Sequence, residues 1–162
     1  MGGVSWQLSN RFDPHAADLA DRHYSRQTIG SPQFVPPGRC LVLYQPHAYW
    51  VTSWPFAEYT KHAWAGAWVC SAFRNEGAGL SSELIREAVA HTLHRWPNPP
   101  ELGMITFVDR DKTRPKKNPG YCFLRAGFEP VGKTKGGLVA LQLLPDAMPA
   151  ASPAEGQTLA IW

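Results

Sequence analysis

Residues 67–96 read AWVCSAFRNEGAGLSSELIREAVAHTLHRW, and this stretch predicts the strand–loop–helix unit around which the other elements are arranged. Its first part, 67–73, is rich in apolar and aromatic residues and predicts a strand. After the glycine-containing loop, apolar residues recur at helical spacing over 80–96 and predict one long helix. Ser81 or Ser82 is expected to cap this helix, and Glu83 complements the helix dipole in its first turn.

The other predicted elements surround this strand–loop–helix unit and place the chain in the α/β class, as a mixed α+β sheet. They are, in chain order, a helix over 14–24, a loop over 31–38, strands over 39–44 and 49–54, a buried strand over 103–108, a basic loop over 109–117, a short helix from Asn118 to Gly127, and a last strand over 137–144. The first strands predict an antiparallel meander. The alternation of strands and helices later in the chain predicts crossovers between near-parallel neighbours.

Length and composition predict a single domain over 1–144. The chain has 162 residues, of which 44% are apolar, enough for one core. From Pro145 it becomes rich in Ala, Pro and Ser, so 145–162 is expected to form a flexible tail. The three cysteines show no metal or disulfide spacing and there is no apolar run of about 18 residues, so we expect reduced thiols, no membrane contact and a cytoplasmic location.

The distribution of charge points to a polyanionic partner, and double-stranded DNA is the one we expect. The whole chain carries a formal +3, yet 110–135 holds eight basic and two acidic residues, a local balance of +6. A solvated loop without a partner remains the alternative. The candidate DNA-binding residues are Arg26, Arg110, Lys112, Arg114, Lys116 and Lys117.

Seven tryptophans are more than a small core usually needs, so some aromatic rings are expected to stack on a nucleic-acid base, with half or more of them in the core. The candidates are Tyr49, Trp50, Trp54, Tyr59 and Trp64.

The loop Arg74-x-x-Gly77-x-Gly79 resembles the pyrophosphate-binding loop of the GNAT acetyltransferases, which binds coenzyme A. Glycines before a helix N-terminus let backbone N–H groups approach a phosphate. The resemblance therefore implies that Arg74, Gly77 and Gly79 bind a cofactor such as acetyl-CoA. Glycines that only shape a turn are the alternative.

A second segment, FLRAGF (123–128), resembles the late GNAT pattern of a tyrosine, three residues and Gly-Phe before the last strand. The tyrosine position that often supplies the general acid holds Phe123 here. Tyr121 lies two residues earlier, and residues i and i+2 of a helix do not share a face. The resemblance thus implies a GNAT-like fold in which Phe123 stands where the tyrosine general acid would be.

A third cluster, RHYSR (22–26), offers His23 as a base or metal ligand and Tyr24 as a hydrogen-bond donor or stacking ring. Core packing with solvent-exposed arginines is the alternative. Two histidines, His91 and His94, are three residues apart on the long helix. We expect both side chains to lie on its outer, solvated face.

Together these segments resemble the Mom family of phage DNA-modification proteins, GNAT-like proteins that convert adenine in DNA to its N6-carbamoylmethyl (acetamido) form and so protect phage DNA from host restriction enzymes. The motifs that carry the resemblance are ADRHYSR (20–26), QFVPPGR (33–39), FRNE (73–76), SSELI (81–85), TFVD (106–109) and NPGYCFLRAGF (118–128).

Carried over motif by motif, the resemblance implies a set of catalytic residues: His23, Tyr24, Arg74, Ser82, Asp109 and Tyr121. The family has also been linked to iron, for which His23 with Tyr24 or Asp109 is the candidate ligand set. The bacterial host cytoplasm is the expected location if the gene is phage-encoded. A homodimer is one of the assemblies that the sequence allows, and the group donor is unknown.

Adenine N6 is a poor nucleophile because its lone pair is delocalised into the ring, so catalysis must rest on orientation and proton removal. Asp109 or His23 is the candidate base, Tyr24 or Tyr121 would orient the reactants, and Arg74 would hold the donor. Two other functions stay open: an acyl-CoA-dependent N-acyltransferase that acts on a small amine or protein, and a non-enzymatic DNA-binding anti-restriction protein.

Overall fold

The computed structural model describes residues 6–10, 39–55, 60, 62–109 and 120–157. Within these ranges seven strands form one mixed sheet in the order β1-β2-β3-β4-β5-β7-β6. The strands are β1 (Gln7–Leu8), β2 (Arg39–Gln45), β3 (Ala48–Trp54), β4 (Trp68–Asn75), β5 (Met104–Val108), β6 (Glu129–Lys133) and β7 (Val139–Leu143). Two α-helices are described, α1 (Ser81–Arg95) and α2 (Tyr121–Arg125). The protein is therefore a mixed α+β fold, which agrees with the predicted class.

The strand pairing confirms the predicted antiparallel meander, but of the near-parallel neighbours predicted later in the chain only β4 and β5 are parallel, since β7 pairs antiparallel with both β5 and β6. Strands β1 to β4 pair antiparallel with their neighbours, as a meander does. Strand β5 then pairs parallel with β4, and α1 makes the crossover between them. Such a connection needs a helix-length segment because the chain must return to the same end of the sheet.

Strand β6 was missed in the sequence. It reads EPVGK, and every residue in it is exposed. Proline and glycine are tolerated in an edge strand because one side of its backbone needs no ladder partner. Strand β7 inserts between β5 and β6 and pairs antiparallel with both, so β6 becomes the sheet edge.

Helix α1 supplies one wall of the main core, and its bounds differ from the predicted 80–96 by one residue at each end. Leu84, Ile85, Ala88 and Val89 are buried against the sheet, which is the apolar stripe that helical spacing predicts. The predicted serine cap is wrong: the N-cap residue is Leu80, and no side chain caps the helix.

A directed chain of buried hydrogen bonds ties α1 to the centre of the sheet. The Trp50 indole N–H donates to the Thr52 hydroxyl at 2.6 Å, and the Thr92 hydroxyl donates to the Ala88 carbonyl at 2.8 Å. The two threonine hydroxyls lie 2.9 Å apart. Because the Thr92 hydroxyl proton is donated to the Ala88 carbonyl, the Thr52 hydroxyl must donate to that of Thr92. Each of these buried polar groups therefore has a hydrogen-bond partner.

The segment after Pro145, predicted as a flexible tail, lies against the body over its described part, 145–157. The Ala154 side chain is buried in the main core. The Leu8 N–H donates to the Glu155 carbonyl, and the Glu155 N–H donates to the Trp6 carbonyl. The Ser152 N–H reaches the Ala90 carbonyl of α1. These bonds hold the segment against both α1 and the β1 edge.

The expectation that His91 lies on a solvated face is wrong, because this C-terminal segment covers it. The side chain is 8% exposed, and its Nδ1 donates to the Ser152 carbonyl at 2.7 Å. Burial lowers the pKa of His91 below its ordinary value of 6.5; the bond to Ser152 opposes this lowering and the nearby His94 adds to it.

Acidification is expected to destabilise the protein through His91. A histidine that stays neutral when folded but takes up a proton when unfolded makes the free energy of unfolding fall as the pH drops below about 6.5. Burial lowers the pKa of His62 as well, so it acts in the same direction. Urea denaturation between about pH 7.5 and pH 5.5 measures the slope.

His91→Gln keeps a donor for Ser152 without titrating, so it should reduce the pH slope. His47→Gln, at an exposed position of the β2–β3 turn, is the matched control and should leave it unchanged. Equal slopes in His91→Gln and the parent protein would contradict this assignment.

Candidate functional site

Strands β4 and β5 separate part of the way along their length, and the opening between them is the centre of the candidate site. Their parallel pairing runs from Trp68–Met104 to Cys70–Thr106 and ends there, although β4 continues to Asn75. At the last pair the Thr106 hydroxyl donates to the Cys70 carbonyl at 3.2 Å. The carboxyl ends of adjacent parallel strands are where sheets of this kind bind ligands.

A β-bulge accounts for the separation. In the β3–β4 ladder Val51 pairs with Ala72 and Thr52 pairs with Cys70, so Ser71 is an extra residue on β4. Its hydroxyl lies 2.9 Å from that of Ser53 on β3. Bulges bend their strand and often occur beside active sites. Here the bulge coincides with the point at which β4 leaves β5.

Asn75, at the end of β4, organises the glycine loop. Its Oδ1 accepts hydrogen bonds from the N–H groups of Gly77 and Ala78 at 3.1 and 2.8 Å. Its Nδ2 donates to the Gly79 carbonyl and to the Ser81 hydroxyl. The amide therefore occupies N–H groups that a pyrophosphate-binding loop would offer to its ligand. Sequence reasoning missed this role, although asparagine before a glycine loop is a known turn signal.

The predicted cofactor residues Gly77 and Gly79 have φ angles of +107° and +142°. Both values lie in the region that favours glycine, and a Cβ at either position would meet no atom within 4 Å. Backbone conformation, not close packing, therefore requires glycine here.

Arg74 lies on the face of β4 opposite to Asn75, as alternation along a strand requires. Its Nε donates to the Glu76 carboxylate at 2.9 Å in a partly exposed ion pair. An anionic donor would have to compete with Glu76 for this guanidinium.

The two serines at the start of α1 are half-buried, but only Ser81 is engaged by the Asn75 side chain. Ser82, the predicted catalytic serine, lies in the first turn. Leu80, the N-cap residue, offers no side-chain acceptor to the first-turn N–H groups, although the Glu83 N–H donates to the Leu80 carbonyl. Such groups favour a negative or strongly polar partner.

Asp109 and Tyr121 lie at the carboxyl end of β5. Asp109 directly follows the strand and is half-buried. Gly120, just before Tyr121, is so close to β5 and β7 that a Cβ there would come within 3.1 Å of Val108 and 2.6 Å of Leu141. This contact places the start of α2 beside the end of β5, with Tyr121 52% exposed.

Phe123 occupies the core, whereas Tyr121 faces solvent, which confirms that the two side chains lie on different faces of α2. Phe123 is 8% exposed, and its ring centroid lies 6.1 Å from Phe73, 6.4 Å from Trp50 and 5.3 Å from Phe128. Phe123 is therefore an apolar ring packed against β4.

The candidate base-stacking rings divide into core and surface. Tyr49 and Trp50 are fully buried. Trp54 is half-buried against Trp68 and Trp96. Trp64 is half-buried, and its ring lies 6.0 Å from those of His62 and Phe107.

Several predicted site residues lie outside the described residues, as do the predicted helix over 14–24 and the loop over 31–38. They are His23, Tyr24, Arg26, Tyr59, Arg110, Lys112, Arg114, Lys116 and Lys117. Asp109 and Gly120, the described residues on either side of 110–119, both lie at the carboxyl end of β5.

No group of three or more His, Cys, Asp or Glu side chains within the described ranges could hold a metal ion. The residues that the structure describes thus offer no complete ligand set for iron, and His23 and Tyr24 of the predicted set lie outside them. In the same part of the chain, no helix is long and apolar enough to cross a membrane.

Comparisons with protein-family models, with curated proteins and with solved structures found no match for this chain.

Proposed function

We propose that this protein is a transferase that modifies the N6 amine of adenine in DNA with a carbamoylmethyl group. One observation carries the proposal: Asp109 and Tyr121, from two separate segments, both lie at the carboxyl end of β5. Asp109 directly follows β5, Tyr121 begins α2, and Ser82 is the second residue of α1, the helix that follows β4. These are positions that the resemblance to the Mom family marks as functional.

The chemistry of these groups suits an amine of low nucleophilicity. The Asp109 carboxylate can accept the proton that N6 loses as the new bond forms, and the Tyr121 hydroxyl can orient the base or the donor. As N6 bonds to the methylene carbon of the carbamoylmethyl group, the bond from that carbon to the donor's leaving group breaks. First-turn N–H groups beside Ser82 can stabilise the negative charge that the leaving group acquires.

Basic residues near this edge support a DNA substrate. Lys133 on β6 pairs with Val139 on β7, and Val139 pairs with Val108, the last residue of β5. The Lys133 cation therefore lies in the same row across the sheet as the residue that precedes Asp109. Lys135 and Arg125 are also exposed. Such side chains can neutralise backbone phosphates, and binding should weaken as salt rises.

Two observations favour this function over acyl transfer from coenzyme A. Phe123 provides no acid for a departing thiolate, and the Asn75 amide already engages the N–H groups of Gly77 and Ala78. Tight binding of acetyl-CoA in calorimetry would support the acyltransferase instead.

Nucleoside analysis tests the proposal directly. Plasmid DNA from bacteria that express the protein is digested and analysed by mass spectrometry. We expect an adenosine with the added mass of one carbamoylmethyl group, absent from cells that carry the empty vector. Unmodified plasmid from cells that contain folded protein would refute the proposed function.

A further inference from the structure

Trp64 differs from the other tryptophans that the structure describes. Five of them lie in the main core or pack against it: Trp6, Trp50, Trp54, Trp68 and Trp96. Trp64 belongs to neither of the two apolar clusters that the described residues form, and its side chain is only half-buried. Part of this large ring is therefore accessible to a ligand, and packing in a core does not explain its presence.

The Trp64 ring forms a surface cluster with His62 and Phe107. The ring centroids lie 5.0 Å apart for His62 and Phe107 and 6.0 Å apart for each of the other two pairs. All three side chains are half-buried, and Phe107 also lies outside both apolar clusters of described residues. Single apolar side chains are common at a protein surface, whereas a contiguous group of accessible rings indicates a binding surface. We call these three residues the Trp64 cluster.

Local contacts fix the Trp64 ring in place before any ligand binds. The Trp64 main-chain N–H donates to His62 Nδ1 at 3.0 Å, which sets the conformation of this turn. The ring lies beside Gly132 of β6, where a Cβ would come within 3.6 Å of it. Ala63 and Ala65, on either side, are exposed and carry only methyl groups. A ring that is already held in one position loses little conformational entropy on binding, which favours stacking.

Strand register places the Trp64 cluster beside the end of β5. Phe107 pairs with Ala140, and Ala140 pairs with Gly132, so the cluster lies at the row just before the last row of β5. Val108 is buried in the main core, so its neighbour Phe107 faces the opposite side of the sheet, away from α1. Asp109 is two residues beyond Phe107, about 7 Å along an extended chain, which is comparable to the length of a purine base.

Exposed cations lie beside the Trp64 cluster. Lys133 directly follows Gly132, and Lys135 lies two residues further on; both side chains are exposed. An accessible aromatic ring beside lysines is a combination that binds single-stranded nucleic acid, because the ring stacks on a base while the cations neutralise phosphates. Stacking on the face of a ring needs no enclosed cavity, so the partial exposure of Trp64 is sufficient.

We propose that the Trp64 ring stacks on an adenine base that has left the DNA duplex, with Lys133 beside the adjacent phosphate. Enzymes that act on a base within a duplex extrude it and hold it by stacking against aromatic or apolar side chains. Trp64 supplies that contact close to Asp109, the proposed proton acceptor. This inference rests on the proposed function in taking adenine in DNA as the substrate.

Binding is tested with two labelled single strands, one of about ten deoxyadenosines, within the usual site size for proteins that stack on bases, and one of equal length that lacks all its bases. Fluorescence anisotropy gives both affinities. The wild type is expected to prefer the strand with bases. Trp64→Leu should weaken binding of that strand about tenfold, the usual effect of losing one stacked base, and leave the abasic strand unaffected.

Three further variants separate stacking from charge and from folding. Trp64→Tyr keeps an aromatic ring and should retain most of the preference for bases. Trp96→Leu makes the same change as Trp64→Leu at a half-buried ring of the main core, and it should keep the full preference. Lys133→Gln removes a cation and should weaken binding of both strands alike. Thermal unfolding verifies that each variant is folded.

Four results would overturn the inference. The wild type could bind neither strand, or bind both with equal affinity, which would rule out stacking without reference to any variant. Trp64→Leu could retain the preference for bases, or it could lose affinity for both strands equally, as expected of a structural residue.

The DNA assay separates this inference from the proposed function. If the wild type modifies plasmid DNA, Trp64→Leu should reduce the modified adenosine about tenfold or more, and Trp96→Leu should not. Equal modification by Trp64→Leu and the wild type overturns the role of Trp64 alone. A preference for bases that depends on Trp64, in a protein that leaves DNA unmodified, overturns the proposed function alone.

Discussion

Gly103→Ala is expected to lower the free energy of unfolding by about 3 kcal/mol or more. Gly103 precedes β5 with φ +65°, and a Cβ there would overlap the backbone carbonyl oxygen of Leu143. Neither group can move freely, because Leu143 pairs with Met104 and the Gly103 carbonyl accepts from the Trp68 N–H at 2.9 Å. The substitution would disturb β4, β5 and β7 at their common end.

Gly137→Ala is the matched control for this prediction. Gly137 has φ +88°, but a Cβ there would meet nothing within 4 Å. Only backbone strain opposes alanine, and we expect a loss of about 1 kcal/mol. Urea denaturation of both variants gives the two values, and similar losses would show that close packing at Gly103 is unimportant.

Asp109→Asn is expected to reduce adenine modification by about 100- to 10,000-fold, the usual contribution of a positioned general base. Asparagine has nearly the same shape as aspartate but cannot take up the N6 proton. The measurement is the fraction of modified adenosine in plasmid DNA at matched protein levels, with thermal unfolding of each variant to verify folding.

Asp146→Asn makes the same chemical change at an exposed residue of the 3₁₀ turn Pro145–Ala147. It should modify DNA as the parent does. Undiminished modification by Asp109→Asn would remove Asp109 from the mechanism and leave His23 as the remaining candidate base.

Local periodicity made much of the fold predictable. The apolar spacing of α1 and the β-branched and aromatic runs of β2 to β5 are properties of neighbouring residues, so their bounds agree with the structure to within a few positions. Strand β6 lacks such a signal, because Pro130 and Gly132 interrupt it and all its residues are exposed. It forms because β7 offers it a partner.

The candidate site was predictable only as a set of separate residues. Ser82, Asp109 and Tyr121 could be placed at the ends of elements, and the parallel connection implied that the ends of β4 and β5 share an edge. The Asn75 bonds, the Arg74–Glu76 ion pair and the cover over His91 depend on loop conformation and on distant segments, so no local pattern predicts them.

Residue order and hydrophobic periodicity alone thus predicted the class of the fold and the strand–loop–helix unit, because both depend on neighbouring residues. Tertiary structure alone decided that Ser71 bulges where β4 leaves β5, and that Gln45 lies buried with both amide groups unpaired among the described residues. Strand register is the physical reason: it depends on which distant residues pair, and it sets the face and the neighbours of every side chain.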